Sequence, residues 1–214
     1  CNVVYKVTGY LNDTTMIVQP ISYSSKSLTT AQKNTTNSAI KTTIDTWYEN
    51  NLTVYTSKLA DETFCNDRSI SSGSGYKLDS YTFYGAWNRI SDRKVPSLKC
   101  TQDNDKFKVS NASAKLDYPV ALITVDEIAM AGGVRDIANT NYYLYNGQHQ
   151  WTLSPCVFAS DISNTDAWQI KPSGSLYTWA KVNGSSDIRP VINLKSDTLI
   201  AKGDGSALNP FLVS

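Results

Sequence analysis

Charge and histidine are scarce in this chain, and catalytic and metal motifs are missing altogether. Only 18% of the 214 residues are charged, below the usual quarter. Twenty basic residues against 19 acidic ones leave a net charge of +1. That balance gives no electrostatic footprint for nucleic acid or for an acidic membrane surface. No stretch approaches the roughly 18–20 consecutive apolar residues of a spanning helix, so no direct membrane insertion is expected of this segment. A single histidine, His149, and the lack of any C-x-x-C pair remove the usual spacing of a zinc site. "DNDKFK" (Asp103, Asp105) and "GDG" (Asp204) lack the ligand spacing of an EF-hand and read as solvated turns. No G-x-S-x-G accompanies His149, Asp126 or Asp136, so a hydrolytic triad has no support and His149 reads as a loop histidine. The adjacent acids Asp126 and Glu127 fall in the first turn of a helix, where the dipole favours them, and are read as capping rather than glycosidase carboxylates. No catalytic residue, metal or cofactor is therefore assigned, and the chain is expected not to be an enzyme.

Hydroxyls, amides and rings fill the space that charge leaves. Ser, Thr, Asn and Tyr dominate the polar positions, as on many secreted and cell-surface proteins. Four cysteines, Cys1, Cys65, Cys100 and Cys156, make an even count, which suggests disulfides and an oxidising compartment. Cys65–Cys100 with Cys1–Cys156 is the expected pairing, because Cys65 and Cys100 flank one Gly/Ser-rich segment that a bridge would tie down. Four buried free thiols are the alternative. The opening "CNVVYKVTGY" already reads as a strand, which implies that the numbering starts inside a longer precursor. Cys1 is then a lipidated terminus, an edge of the segment, or half of a disulfide.

The pattern along the chain is mixed. Val3–Val7 and Thr15–Gln19 alternate as strands, and Ser24–Asn37 reads as a loop. Ile40, Ile44, Trp47 and Tyr48 form one apolar stripe at helical spacing, with Ser38 or Thr36 as the cap and Asn50-Asn51 at the end. Val54–Leu59 is a short apolar or helical patch. Residues 65–113 form a loop-rich excursion whose rings, Tyr81, Phe83, Tyr84 and Trp87, mark it as ordered rather than as a linker. Val120–Ile123 reads as a buried strand. Thr124 and Glu127 then make a capping box for a helix over Val125–Ala131, closed by Gly132-Gly133. "YYLY" and "QWTLSP" are short strands or turns. "AWQIKPSG" and "LYTWAKV" form a hairpin turning at Gly174, and "RPVINLK" is the last core strand, with Pro190 at its start. "NDR" (Asn66, Asp67, Arg68) is read as an Asp–Arg pair fixing a loop beside the disulfide, and Arg189 as a loop anchor.

"LITVDEIAMAGG", "WTLSP", "SGSLYTW", "DIRPVINLKSD" and "GDGSALNPF" together resemble a family of gut-bacterial (Firmicutes-type) surface domains. "IDTWYENNL" and "FCNDRSI" resemble its N-terminal half. The resemblance implies a C-type-lectin-like α+β fold related to the formylglycine-generating-enzyme group: a mainly antiparallel sheet, two helices and long irregular loops, over 1–214 as a single domain. It is similar as well to the variable proteins of diversity-generating retroelements, where a fixed lectin-like scaffold displays diversified residues. The resemblance does not imply activity. No cysteine follows Cys156 to supply the formylglycine-generating pair, and the calcium-lectin motifs "EPN", "QPD" and "WND" are absent.

Within this frame, residues 160–187 are the expected ligand-binding insert. Trp168, Tyr177, Trp179, Lys181, Asn183 and Asp187 lie on or beside the hairpin and its following loop. Trp and Tyr supply rigid contact area and stack on sugar rings, while Asn supplies adaptable hydrogen bonds. By alternation Tyr177, Trp179 and Lys181 share the open face, and Leu176, Ala180 and Val182 the buried one. The expected role is a binding domain that is extracellular, on a cell surface or on a phage particle, whose partner is a protein or glycan on a cell or phage surface. A structural module of a pilus or surface protein, and a formylglycine-generating-type enzyme that has lost its cysteines, are the alternatives.

Overall fold

The computed structural model describes residues 5–8, 34, 37–73, 81–158, 165–181, 185–206 and 208–213. Among them the chain is α+β, and its sheets are mostly antiparallel. The expected strand Thr15–Gln19 lies outside the described residues.

The organising element is β6, Gln150–Phe158, a nine-residue strand buried along its whole length. It had been expected as a short strand or turn. β7 (Thr165–Ile170) pairs antiparallel along one edge of it, and β8 (Leu176–Lys181) pairs with β7. The other edge is shared. Gln150 near its start pairs in parallel with Asp187 of β9 (Ser185–Ile188), and Val157 and Phe158 at its end pair with β4 (Thr82–Tyr84). β1 (Tyr5–Thr8) closes the sheet antiparallel to β9, and β3 (Ile70–Ser72) pairs with β4. Pro155 is tolerated inside β6 because the register slips on both sides of it, where a ladder N–H is not needed. Two polar residues of β6 are satisfied internally: Thr152 Oγ1 donates to the Trp168 carbonyl at 2.8 Å, and Ser154 Oγ accepts from the Val125 amide at 3.0 Å.

Each face of this sheet carries its own core. On one side α1, Ala39–Asn51, lays Ile40, Ile44 and Tyr48 over Trp151, Leu153, Ala167, Ala180 and Ile188. Ser38 is its cap, accepting from the Lys41 amide at 3.0 Å. On the other side α2, Val125–Ala131, packs Val125 and Ile128 over Cys156, Val157, Trp168, Ile170 and Leu176. The expected capping box is present: Glu127 N donates to Thr124 Oγ1 at 3.2 Å, and Thr124 N to Glu127 Oε2 at 2.8 Å. The helix ends on Gly132 in the left-handed region.

Three further expectations need correction. Val120–Ile123 is not a ladder strand; its first three residues are buried, and the Ala121–Val191 bridge and the Leu153 amide on the Ile123 carbonyl at 2.8 Å hold it. "RPVINLK" is likewise held by bridges, and the last core strand is Ser185–Ile188 before it. "YYLY" is a turn, one of the two forms expected of it, closed by the Tyr145 amide on the Tyr142 carbonyl at 2.9 Å. Cys156 is a free, buried thiol, so the Cys1–Cys156 bridge is not formed. Cys156 faces the second core, where burial raises its pKa well above the ordinary thiol value and keeps it neutral.

Cys65 and Cys100 are bridged, closing a 35-residue separation. Inside that loop Gly85–Trp87 runs into a π-helical turn, Asn88–Arg93. A two-stranded pair, β2 (Phe64–Cys65) with β5 (Lys106–Phe107), joins the ends of the excursion. Asp61 secures its far side by accepting the amides of Val109 and Ser110 at 2.7 and 2.9 Å. Burial pushes this carboxyl up, but the Ser110 side chain, those two amides and the Lys108 charge outweigh it and hold it below its ordinary value. A lowered carboxyl contributes stability that is present above its unfolded value, about 3.9, and lost as pH falls through the folded one. Asp61→Asn is therefore expected to flatten the acid limb of a stability–pH curve below about pH 4. At pH 7 it should cost under about 1 kcal/mol, since the group is largely solvated.

The β7–β8 turn is as expected. Gly174 sits at φ 77°, its amide donates to the Lys171 carbonyl at 2.8 Å, and an added Cβ would meet the Asn139 carbonyl at 1.7 Å. Downstream, β10 (Ile200–Lys202) and β11 (Leu212–Val213) make a second hairpin whose residues are exposed.

Candidate functional site

The six residues expected to bind ligand separate. Trp168 is fully buried, because β7 lies between β6 and β8 and α2 covers its face. Asp187 is 3% exposed, enclosed in β9 between β1 and β6, with its amide donating to the His149 carbonyl at 3.0 Å. Both are corrected from contact residues to interior ones. Asn183 lies outside the described residues. Tyr177 is half-buried, and the Lys171 ammonium covers its ring at 3.7 Å. Lys181 is exposed, and Trp179 is 46% exposed.

Exposure along β8 alternates as expected, but the faces do not. Cross-strand partners share a face. Between the pairs Ala167–Ala180 and Gln169–Tyr177, β8 carries one residue more than β7. That bulge flips the alternation. Tyr177 therefore sits with Gln169 and packs against the α1-side core. Lys181 sits opposite Asp166 on the α2 side, and Trp179 shares that side.

There Trp179 meets rings from the disulfide-closed excursion. Its indole stands edge-on to Trp87 at 6.2 Å between centroids. Trp87 continues to Phe83 at 4.5 Å, and Phe83 to Tyr81 at 6.2 Å. Buried Trp168 supports Trp87 from below at 6.3 Å, and the Arg135 guanidinium lies over the Trp87 ring at 4.6 Å. Tyr81 (48% exposed) and Trp179 are the open ends of this row, with Phe83 and Trp87 half-buried between them. Sequence reasoning saw the ring cluster at 81–87 as an anchor and Trp179 as a contact. It missed that they are one surface, since a ring pair 92 residues apart leaves no periodic signal.

The polar clusters do other work. Arg89 gives Nε and Nη2 to Asp126 at 2.7 and 2.8 Å and Nη1 to Asp67 at 2.5 Å. Burial lowers its pKa, yet the Asp126 and Asp67 bonds outweigh this and the guanidinium stays charged. Asp126 also accepts the Ser97 amide at 2.8 Å, and Asp67 the Ser69 amide at 3.0 Å. These groups line a cleft of about 220 Å³ beside Cys65, with Lys99, Thr124 and Glu127, but the charged centre is spent on holding three segments together. Neighbouring Arg68 pairs with Asp105 instead, at 2.7 Å. Asp67 and Arg68 thus each fix a loop as expected, though not by pairing with each other. Arg189 anchors the Leu144 carbonyl at 3.0 Å. His149 is exposed, and its ring makes no hydrogen bond among the described residues. Among those residues no group of three or more His, Cys, Asp or Glu could hold a metal ion, and no helix is long and apolar enough to cross a membrane.

No family model, curated protein or solved structure matches the chain.

Proposed function

We propose that this chain is a non-enzymatic, extracellular binding domain with a C-type-lectin-like fold, which contacts a protein or glycan ligand through the aromatic surface built from Trp179, Trp87, Phe83 and Tyr81. The observation that carries the reading is Trp179 itself: a half-open indole on a rigid strand, fixed edge-on against a second tryptophan. A large ring held in place contributes contact area at little entropic cost. The lectin-like reading draws support from β1 and β9, which bring early and late segments together antiparallel beside a long central strand, with one helix on each face. The extracellular reading draws on the Cys65–Cys100 bridge, since such bonds persist mainly in oxidising compartments. The non-enzymatic reading draws on the polar clusters, whose acids and arginines are engaged with one another or with backbone.

Trp179→Ala is expected to weaken binding by about 30-fold or more, the range of a central aromatic contact, with little change in stability. Glycan-array and whole-cell binding would read it. Unchanged binding by both Trp179→Ala and Tyr81→Ala would sink the assignment.

A second reading, a structural module of a pilus or surface assembly, draws on one observation. Leu199, Ile200, Leu208, Phe211, Leu212 and Val213 are all exposed on or beside the β10–β11 hairpin. A hairpin of two short strands is marginal alone in water, and its edges are open to pairing. Deleting residues 199–213 would abolish self-assembly under this reading and leave ligand binding intact under the first.

A further inference from the structure

A small cleft opens beside the aromatic row, and its chemistry is specific. About 140 Å³ in volume, it is lined by Ile90, Pro96, Ala129, Gly133 and Val134, and by two cations, Lys94 and Arg135. No carboxylate lines it. Arg135 meets Asp136 through Nε at 3.1 Å, and no described residue bonds its two terminal nitrogens. Lys94 makes no ion pair among the described residues.

One cation sits at a backbone position that is costly to hold, and the other sits beside one. Among the described residues only two non-glycine residues have positive φ: Lys94 at 56° and Asp136, next to Arg135, at 57°. Lys94 ends the π-helical turn Asn88–Arg93 in the left-handed conformation, a position glycine normally fills. A lysine there accepts strain that glycine would avoid, and such strain gathers at ligand sites. Its position is rigid. The amides of Lys94 and Val95 both donate to the Arg89 carbonyl, and the Arg89 side chain is bolted to Asp67 and Asp126. Arg135 is fixed from the other side. The Leu176 amide donates to the Val134 carbonyl at 3.0 Å, and the Asp136 amide to the Leu176 carbonyl at 3.1 Å. Leu176 begins the strand that carries Trp179. Trp87 then joins the two features, with the Arg135 guanidinium over its face and Trp179 at its edge.

We infer that Lys94 and Arg135 form a carboxylate-binding cleft, and that the ligand is an acidic saccharide, of the sialic or uronic acid class, whose sugar ring or its neighbour stacks on Trp179. The inference rests on the reading of the aromatic row as a binding surface, and names its ligand. A cleft of this size takes a carboxylate and the carbons attached to it, not a whole disaccharide. Two fixed cations with apolar walls suit an anion presented on a rigid ring. The half-open indole beyond suits the C–H face of that ring. A flexible acidic peptide has no such flat apolar face to offer.

The test is titration of the whole chain with 3′-sialyllactose and a hyaluronan tetrasaccharide, against lactose, cellotetraose and tetraglutamate, by calorimetry and tryptophan fluorescence. One or both acidic sugars should bind about tenfold or more tightly than the neutral ones, and the advantage should shrink as salt screens the pair. Arg135→Gln should remove about tenfold of it. Lys94→Gly should lower acidic-sugar affinity severalfold or more while raising Tm by about 2 °C, because glycine relieves the left-handed strain. That opposed pair of changes separates a lost contact from a damaged fold. Equal binding of neutral and acidic sugars, with Arg135→Gln silent, overturns the acidic-sugar inference and leaves the aromatic surface standing. Binding of tetraglutamate in place of the sugars overturns it in favour of a protein ligand. If no saccharide binds, the inference fails, and the binding-surface reading is then judged separately by whole-cell binding of Trp179→Ala.

Discussion

Arg68→Ala should destabilise the fold by about 3–5 kcal/mol at pH 7, a large part of the 5–15 kcal/mol that holds a typical domain. Arg68 and Asp105 are both wholly interior. Arg68 Nε donates to Asp105 Oδ1 at 2.7 Å, and its own amide donates to Oδ2 at 2.9 Å. Nη1 donates to Asn34 Oδ1 at 2.8 Å, Nη2 to the Asn104 carbonyl, and the guanidinium lies 5.6 Å from the centre of the Phe107 ring. Asn34 in turn donates to the carbonyls of Asn104 and Ser113 at 2.7 and 2.8 Å. One side chain thus ties three segments together: its own, Asn34 and the run Asn104 to Phe107. Removing it leaves a carboxylate with no counter-charge, and leaving one partner of a buried pair is worse than lacking both. The Arg68→Met, Asp105→Leu double variant should therefore recover much of the loss. The pH dependence has a definite sign. Burial already pushes the Asp105 carboxyl above its ordinary value, against the pull of Arg68. Without Arg68 it rises further, so stability attached to its protonated form is present at low pH and lost as pH rises through the folded value. The deficit of Arg68→Ala against the parent should shrink as pH falls toward the carboxylate range. Urea titration followed by tryptophan fluorescence would read both effects. A loss under about 1 kcal/mol at pH 7 would show that water reaches the pair.

What was legible in the sequence was local. The α1 stripe of Ile40, Ile44 and Tyr48 and the Thr124–Glu127 capping box depend on residues three or four apart, and both are present where the spacing placed them. The turn at Gly174 is equally local, since one backbone angle demands it. What was not legible depends on distant partners. β6 is covered on both faces, so "QWTLSPCVF" shows no alternation, and Pro155 with three hydroxyl or thiol residues disguises its length. "RPVINLK" has strand-forming residues but only bridges to receive it. On β8 one bulged residue sends Tyr177 and Trp179 to opposite faces, a change no reading of β8 alone could detect. Asp67 and Arg68 are adjacent, yet their partners lie 22 and 37 residues away. The candidate site follows the same rule: each ring was visible, but their meeting depended on where β6 placed β4 and β7 on its two edges.

Trp168 and Trp179 lie on the same face of the hairpin and should respond in opposite ways. Trp168→Ala is expected to cost about 3–5 kcal/mol, the range for deleting a buried large aromatic. It sits among Cys156, Val157, Ile170, Leu176 and Ile128, with no exposed surface, so its removal leaves a cavity that β6 and α2 cannot close without moving. Trp168→Phe should cost much less. It keeps a ring in place and removes an indole Nε1 that has no hydrogen-bond partner among the described residues, a donor whose burial is itself unfavourable. Trp179→Ala, by contrast, removes a half-exposed ring that meets Trp87 in an edge-on contact, and should cost under about 1 kcal/mol while abolishing most ligand binding. Trp87→Ala lies between them. It removes the support of Trp179, the seat of the Arg135 guanidinium and the cover over Trp168 together, so stability and binding should fall in the same variant. The ordering is the test. Thermal unfolding should rank Trp168→Ala as most damaging, then Trp87→Ala, then Trp179→Ala, and binding measured on the folded fraction should rank Trp179→Ala and Trp87→Ala far below Trp168→Phe. Should Trp168→Phe lose binding as deeply as Trp179→Ala, the buried tryptophan would be shaping the contact surface itself, and the division between an inner scaffold ring and an outer contact ring would have to be abandoned.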